Sequence, residues 1–175
     1  MKIESCTMLA LLASTALASA QEKPVVPVFV EETARAGIST IYEGDWQYMV
    51  GGGVAAFDCN RDGFDDLFVA GGESSAGLYR NISKSGGALR FQKRKSGLEL
   101  KGVTGAYPLD VDADGVMDLV VLRVGENVVM RGRGNCRFER ANRKWGFDGG
   151  DGWSTAYSAS WEKDANWPTI AIGNY

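Results

Sequence analysis

An aspartate-rich loop that occurs twice constrains the fold of this chain more than any other feature. The first copy spans Asp58–Asp66 and the second spans Asp110–Asp118. Each carries oxygen-bearing side chains at loop positions 1, 3, 5 and 9, and glycine at position 6, where a sharp turn needs backbone freedom. Such a turn can wrap several hard oxygen ligands around one hard cation, so the spacing predicts a Ca²⁺ site in each loop. The predicted ligands, with the position 7 carbonyl included, are Asp58, Asn60, Asp62, Phe64 and Asp66 in the first loop and Asp110, Asp112, Asp114, Val116 and Asp118 in the second.

The flanking sequence favours strands rather than helices on either side of both loops. An EF-hand loop would place glutamate at position 12, where this chain has Val69 and Val121. Short branched and aromatic segments follow the loops, Leu67–Ala70 and Leu119–Leu122, and they are typical of buried strands. The alternative is a pair of Asp/Gly-rich hairpin turns that bind nothing. Turn chemistry does not require the further oxygens at positions 1, 3 and 9, and crowded carboxylates without a cation would repel one another.

Two elements recur in step along the chain. The loops begin 52 residues apart (58 to 110), and a further step of 52 reaches Glu162. The segment 162–166 has no Asp-Gly turn, so we interpret it as a third copy with a degenerate metal site. Elements that begin with phenylalanine recur as well, at Phe29–Thr33, Phe91–Lys95 and Phe138–Asn142.

Strand candidates at Gly77–Asn81 and Asn127–Arg131 complete about four short strands per unit, as in a β-propeller blade. An ordinary β-sandwich also has many short strands but does not predict a fixed period. The predicted fold class is therefore all-β, a partial β-propeller of four-stranded antiparallel blades with Asp-rich calcium loops. It spans residues 28–175 and contains about three repeat units.

This pattern resembles the FG-GAP/VCBS-type propeller repeats, which also occur in integrin α-subunits. More closely, it is similar to the bacterial relatives of cartilage acidic protein, the ASPIC/UnbV group. The resemblance covers roughly residues 25–175 and rests on the two Asp loops together with Gly52–Asp58, Leu78–Asn81, Gly149–Ser154 and Ala171–Tyr175. It implies calcium-stabilised blades and secretion, but no single shared activity. The chain departs from the family pattern in its third loop and in its length.

The N-terminus has the three parts of a secretory signal peptide. A charged start at Met1-Lys2 precedes a short apolar run, and Ala18-Ser19-Ala20 forms a small-residue cleavage site. The alternative, a membrane anchor, would need about 20 apolar residues. We therefore predict a signal peptide over residues 1–20, a short linker over residues 21–27, no membrane span, and a secreted or periplasmic protein.

Cysteine and charge content add two expectations. Cys6 lies within the signal peptide, and Cys59 and Cys136 remain. In an oxidising compartment such a pair favours one disulfide, while two separate buried thiols are the alternative. The net charge of −3 gives no indication of nucleic-acid binding, and the basic cluster at residues 90–95 is interpreted as a solvated edge strand.

The number of units predicts an incomplete ring. Propellers close with about four to eight blades, and this sequence holds three partial units. We expect the chain to be the N-terminal part of a longer protein whose remaining blades are its partners, with Phe29–Thr33 as an outer strand of the last blade. The alternative is a small protein that closes by self-association.

Two classes of function fit the sequence. The absence of histidine removes the commonest general base and excludes Cys–His and Ser–His–Asp arrangements. Asp148 and Asp151 could be read as a carboxylate pair for glycoside chemistry, although a polar turn is more typical of this composition. The tryptophans at positions 145, 153, 161 and 167 could form a sugar-binding surface, but their places beside strands favour packing.

The preferred hypothesis is a non-enzymatic, calcium-binding segment for adhesion or for interaction with an unknown protein or glycan ligand. The alternative is a non-catalytic part of a larger extracellular polysaccharide-acting enzyme whose active site lies beyond residue 175.

The signal-peptide prediction has a direct test. Cleavage after Ala20 should give a mature chain that begins at Gln21 and is found outside the cytoplasm. N-terminal sequencing of the protein recovered from the native host checks this, and an intact Met1 on that protein would contradict it.

Overall fold

A computed structural model describes residues 25–175. The chain divides into two compact units, Met1–Val30 and Glu31–Tyr175. In the first unit, residues 25–30 contain no helix or strand, and the predicted signal peptide and its cleavage site lie outside the described residues. The second unit is built from antiparallel β-sheets, in agreement with the predicted all-β class. No helix among residues 25–175 is long and apolar enough to cross a membrane.

Four antiparallel strands form the first sheet, and they follow one another in chain order. They are β1 (Val54–Phe57), β2 (Asp66–Val69), β3 (Gly77–Asn81) and β4 (Phe91–Arg94). The first Asp loop is the β1–β2 connection, with Phe57 paired to Asp66 across it. Lys93 and Arg94 of the basic cluster lie on β4, an edge strand with three exposed residues, and Arg90 and Lys95 flank it, so the charges stay in solvent.

The second sheet repeats this order and then extends it. Its strands are β5 (Val103–Leu109), β6 (Asp118–Gly125), β7 (Val128–Gly132), β8 (Phe138–Arg140), β9 (Gly152–Ser160) and β10 (Thr169–Asn174). The second Asp loop connects β5 to β6. At eight residues β6 is twice as long as β2, and its last residues, Val124 and Gly125, pair with Trp153 and Gly152 of β9. The extra length of β6 therefore joins the third unit to the second in one six-stranded sheet.

Buried apolar side chains pack the two sheets against each other. Phe57, Phe68 and Leu78 of the first sheet share one core with Leu119, Val121 and other residues of the second. The rings of Phe57 and Phe138 meet edge to face with their centroids 6.0 Å apart. A smaller core of Val111, Val120 and Val129 lies on the other face of the second sheet, beneath Tyr157 and Ile170 of the β9–β10 hairpin. One core thus lies between the first and second sheets, and the other lies between the second sheet and the β9–β10 hairpin.

The strand predicted over Phe29–Thr33 is wrong. Phe29 is exposed, and a single helical turn, α1 (Thr33–Ala36), begins where the strand was expected to end. A strand needs a neighbour for its backbone hydrogen bonds, and the pairing of the described strands does not include this segment.

One-turn helices are a repeated feature that the all-β prediction missed. Phe29 is as far from Gly37 along the chain as Phe138 is from Gly146. A helical turn precedes the glycine in both segments, α1 in the first and α2 (Asn142–Trp145) in the second. A left-handed glycine closes each turn, Gly37 at φ 86° and Gly146 at φ 63°. The middle segment, 91–97, is two residues shorter and has no helix. Helices of four residues carry too little periodicity to be read from sequence.

The third unit has the predicted strand–loop–strand outline. Strands β9 and β10 form an antiparallel hairpin in which Ser160 pairs with Thr169. Between them Ala165 N–H donates to the Glu162 carbonyl in a simple turn. The described residues therefore form two four-stranded units and one further hairpin.

A disulfide joins Cys59 and Cys136, whose Cα atoms lie 4.7 Å apart. Cys59 occupies position 2 of the first Asp loop, and Cys136 lies in the β7–β8 turn of the second sheet. The Cys136 N–H also donates to the Cys59 carbonyl at 3.1 Å. The bridge thus fixes the first loop to the neighbouring sheet across 77 residues of chain.

Removing this bridge should destabilise the fold. A cross-link over a long loop restricts the unfolded chain, so the double variant Cys59→Ala/Cys136→Ala should lose about 2–4 kcal/mol of unfolding free energy. Urea unfolding with and without dithiothreitol checks this. The reductant should lower the midpoint of the wild type and leave the double variant unchanged, and an insensitive wild type would contradict the bridge.

Candidate metal centre

The two Asp loops have the same backbone conformation. At position 4 both place a non-glycine residue in the left-handed region, Arg61 at φ 62° and Ala113 at φ 54°. At position 6 both have a left-handed glycine, Gly63 at φ 85° and Gly115 at φ 77°. Positive φ is uncommon outside glycine, so its recurrence at position 4 shows that two different sequences form one turn.

The aspartate at position 1 organises each turn through backbone hydrogen bonds. Asp58 accepts from Gly63 N–H at 2.8 Å and from Asp62 N–H at 3.2 Å. Asp110 accepts from the equivalent Gly115 and Asp114 N–H groups at 2.9 and 3.1 Å. Burial tends to raise the pKa of Asp58, but its backbone hydrogen bonds outweigh burial and lower the pKa, which keeps this ligand ionised.

The aspartate at position 9 connects each loop to the third strand of its sheet. Asp66 and Asp118 are fully buried. One oxygen of Asp66 accepts from Cys59 N–H at 3.0 Å and the other from Asn81 N–H at 2.8 Å. Asp118 accepts from Val111 and Gly132 N–H, both at 2.8 Å. These predicted ligands are therefore also structural acceptors that hold loop and strand together.

Burial raises the pKa of both position 9 carboxyls. The pKa of Asp118 rises to about 6, because burial disfavours its charge and the nearby Asp112 and Asp114 repel it more than its two hydrogen bonds compensate. The pKa of Asp66 rises in the same direction, with burial again the largest cause. A cation beside either carboxylate would favour its ionised form.

Positions 3, 5 and 7 complete the predicted ligand sets at the loop surface. In the first loop Asn60 Nδ2 donates to Asp62 Oδ2 at 2.8 Å, so these two side chains contact each other. The N–H groups of the position 7 residues, Phe64 and Val116, donate to the position 5 carboxylates at 3.1 and 2.8 Å. Each position 7 residue thus lies against the carboxylate with which its carbonyl is predicted to share a cation.

An arginine on the third strand contacts each loop, and sequence reasoning missed it. Arg80 on β3 approaches Asp62 at 3.2 Å, and Arg131 on β7 approaches Asp112 at 2.9 Å and Asp114 at 2.8 Å. The first residue after each loop, Leu67 or Leu119, pairs with Tyr79 or Met130 on the third strand. Each arginine is the next residue along that strand. The signal available in the sequence was this shared place in the two strands, next to acidic loops.

The second loop fits Ca²⁺ better than the first. Carboxylate oxygens of Asp110, Asp112 and Asp118 lie within 4.8 Å of one another, and Asp112 Oδ1 is buried without a hydrogen-bond partner in the described part of the chain. Such a set of hard oxygens suits a hard cation. Among residues 25–175 the first loop has no equivalent carboxylate triplet; the group around Asp66 contains the two disulfide sulfurs.

The other candidates from the sequence lie in a local turn, in aromatic pairs or at an exposed position. Asp148 accepts from Gly150 N–H at 3.0 Å, which is a local turn. Trp153 packs edge to face on Trp46 with centroids 5.1 Å apart. Trp145 and Trp167 meet at 5.6 Å beside a groove of about 380 Å³. Trp161 remains about half exposed.

Comparison with known families agrees with the loop geometry. Residues 58–121, which run from the start of the first loop into β6, match the family model of the FG-GAP-like repeat. The match supports an FG-GAP repeat protein and, with it, a propeller-type interaction domain. A comparison with curated proteins gave no significant match.

The raised pKa of Asp118 predicts an unusual pH dependence for the calcium-free protein. The folded state holds the Asp118 proton up to about pH 6, whereas the unfolded state releases it near 3.8. Its contribution to stability is therefore present below about pH 4 and is lost as the pH rises toward 6. Asp66 acts in the same direction. Asp58, Asp62 and Asp114 have pKa values lowered from 3.8, so their effect lies mostly below this range. Glu31, Glu99 and Glu126 have pKa values lowered from 4.5, so they oppose the fall only at its acid end.

Urea unfolding in calcium-depleted buffer between pH 4 and pH 7 checks this prediction. The unfolding free energy should fall by on the order of 2 kcal/mol as the pH rises from 4 to 7. Asp118→Asn is the matched variant, because it keeps one acceptor oxygen but has no titration. It should be less stable at low pH and should show a flatter profile; an equally steep profile in the variant would assign the effect elsewhere.

Proposed function

We infer that this chain is a calcium-binding, FG-GAP-type propeller segment that acts outside the cytoplasm in adhesion or in interaction with a protein or glycan, without catalysis of its own. The observation that carries the proposal is the recurrence of one backbone turn in Asp58–Asp66 and Asp110–Asp118, with oxygen-bearing side chains at positions 1, 3, 5 and 9 of both. The finer likeness to the ASPIC/UnbV group and the secreted location are part of the same proposal.

Calcium would act on the second loop through charge. Asp110, Asp112, Asp114 and Asp118 bring four carboxyls into one turn, and Asp118 resists ionisation there. A divalent cation held by these groups supplies the opposite charge that their crowding requires. Because β5 and β6 pair side by side as an antiparallel hairpin up to this loop, with Leu109 opposite Asp118, holding the loop together also holds the hairpin together.

The groove beside Trp145 and Trp167 favours a glycan among the possible ligands. It is lined by aromatic and aliphatic side chains, Phe147 and Ile170 among them, and Asp148 adds one charged group. Flat aromatic faces with a few polar groups are suited to a sugar ring. The alternative function, a non-catalytic part of a polysaccharide-acting enzyme, would use the same groove for substrate attachment.

Calcium binding is tested by titrating the purified, ¹⁵N-labelled protein. Gly63 donates to Asp58 and Gly115 donates to Asp110, so each amide signal reports first on its own loop. The Arg61 side chain also donates to the Gly115 carbonyl and links the two loops. Both signals should shift, with dissociation constants of about 10⁻⁴–10⁻³ M as in other extracellular modules. At a dissociation constant of about 0.1 mM, about 1 mM free calcium should add roughly 1.4 kcal/mol of stability per site.

Two variants separate the intact loop from the degenerate third copy. Asp112→Ala should abolish the calcium shift of Gly115, while Asn166→Ala in the third-unit loop should leave both shifts and the calcium-dependent melting temperature unchanged. If millimolar calcium moves neither glycine signal of the wild type, the calcium assignment is wrong.

A further inference from the structure

Arg131 places a positive charge inside the second Asp loop. Its Nη2 lies 2.9 Å from Asp112 Oδ2 and 2.8 Å from Asp114 Oδ2, so one nitrogen bridges positions 3 and 5. The Arg131 side chain is 17% exposed and that of Asp112 is 12% exposed, which shields this contact from solvent more than an ordinary surface ion pair. Two carboxylates predicted to bind calcium are thus already paired with a cation from the chain.

The first loop has a weaker version of the same arrangement. Arg80 occupies the equivalent place on β3 and contacts only Asp62, at 3.2 Å, with 40% of its side chain exposed. Position 3 of this loop is Asn60, so a second carboxylate is missing. The two loops therefore differ in how strongly an arginine holds them.

The contact with Arg131 leaves polar atoms of the second loop without hydrogen-bond partners in the described residues. Asp112 Oδ1 and Arg131 Nε are both buried, and neither has a hydrogen-bond partner among residues 25–175. A planar guanidinium can face only some of the surrounding oxygens, whereas Ca²⁺ accepts six to eight oxygen ligands in flexible geometry. The oxygens of Asp110, Asp112 and Asp118 lie close enough together to share one ion, and Arg131 does not contact Asp110 or Asp118.

We propose that Arg131 is a tethered competitor of calcium. It neutralises Asp112 and Asp114 in the calcium-free protein, and it releases them when the ion binds, so it sets the calcium affinity of the second loop. This inference rests on the proposed calcium function and identifies the residue that tunes it. Arg80 has the same role in the first loop with a smaller effect, because it holds one carboxylate instead of two.

The substitution Arg131→Met tests the competition, because methionine keeps part of the aliphatic length and removes the charge. Followed at the Gly115 amide, calcium should bind the variant at least about fivefold more tightly than the wild type, the factor that corresponds to about 1 kcal/mol for one of the two ion pairs that are lost. The Gly63 titration should be unchanged. Without calcium, the variant should melt at a lower temperature than the wild type, since its loop carboxylates have lost their cation.

Three further variants serve as controls. Arg140→Met removes the same charge from a residue that pairs with Glu126, outside the loop, and should leave both titrations unchanged. Arg80→Met should tighten binding at Gly63 by less than Arg131→Met does at Gly115. Arg131→Lys keeps the charge, so its calcium affinity should stay close to that of the wild type.

The outcomes distinguish this inference from the proposed function. If the wild type binds calcium and Arg131→Met binds it no more tightly, the competition is wrong and the calcium function stands. If only Arg131→Met responds to calcium, the competition is supported and calcium loading of the native second loop is contradicted. If neither protein responds, both proposals are overturned. Should Arg131→Met fail to fold, Arg131→Gln takes its place in the Gly115 titration: tighter calcium binding than in the wild type supports the competition, and equal or weaker binding contradicts it.

Discussion

The buried carboxylate at loop position 9 is the interaction on which the rest of each unit depends. Asp66 and Asp118 each accept two backbone N–H groups, one from the start of the loop and one from the third strand. A single side chain therefore sets the loop conformation and the register of the next hairpin together. Removing it would leave two buried N–H donors without a partner, which costs more than the loss of an exposed hydrogen bond.

Burial of a carboxyl at this place disfavours its ionised form, and nearby carboxylates add repulsion. In the second loop Asp118 lies near Asp112 and Asp114, and its pKa rises to about 6. Arg131 offsets the charge of the two surface carboxylates, but it does not contact the buried one. A cation at the centre of the loop would act on all of them. The structure thus gives a physical reason for a metal at this turn that does not depend on the ligand spacing alone.

Local patterns predicted the parts of the fold that local interactions determine. The two Asp loops and the strands around them follow from turn residues and short apolar runs, and β1, β2, β5 and β6 lie where these signals placed them. Contacts made at long range were missed or left open. Asn81 donates to Asp66 from 15 residues away, Arg131 reaches the loop from another strand, and Cys59 meets Cys136 across 77 residues. The strand at Phe29–Thr33 failed because a phenylalanine-led pattern carries no information about whether a partner strand lies beside it.

The two loops share one backbone conformation but are held by different forces. Position 2 of the first loop is Cys59, which is bonded to Cys136 and lies with its sulfur 2.8 Å from Asp66 Oδ2. Position 2 of the second loop is Val111, whose side chain contributes apolar packing beneath the β9–β10 hairpin and forms no cross-link. The first loop also has one carboxylate fewer at its predicted ligand positions, because position 3 is Asn60 instead of an aspartate. The first loop thus has a covalent cross-link, whereas the second loop has none and brings three carboxylates within 4.8 Å of one another. The proposed dependence on a cation should therefore be stronger at Asp110–Asp118 than at the first loop.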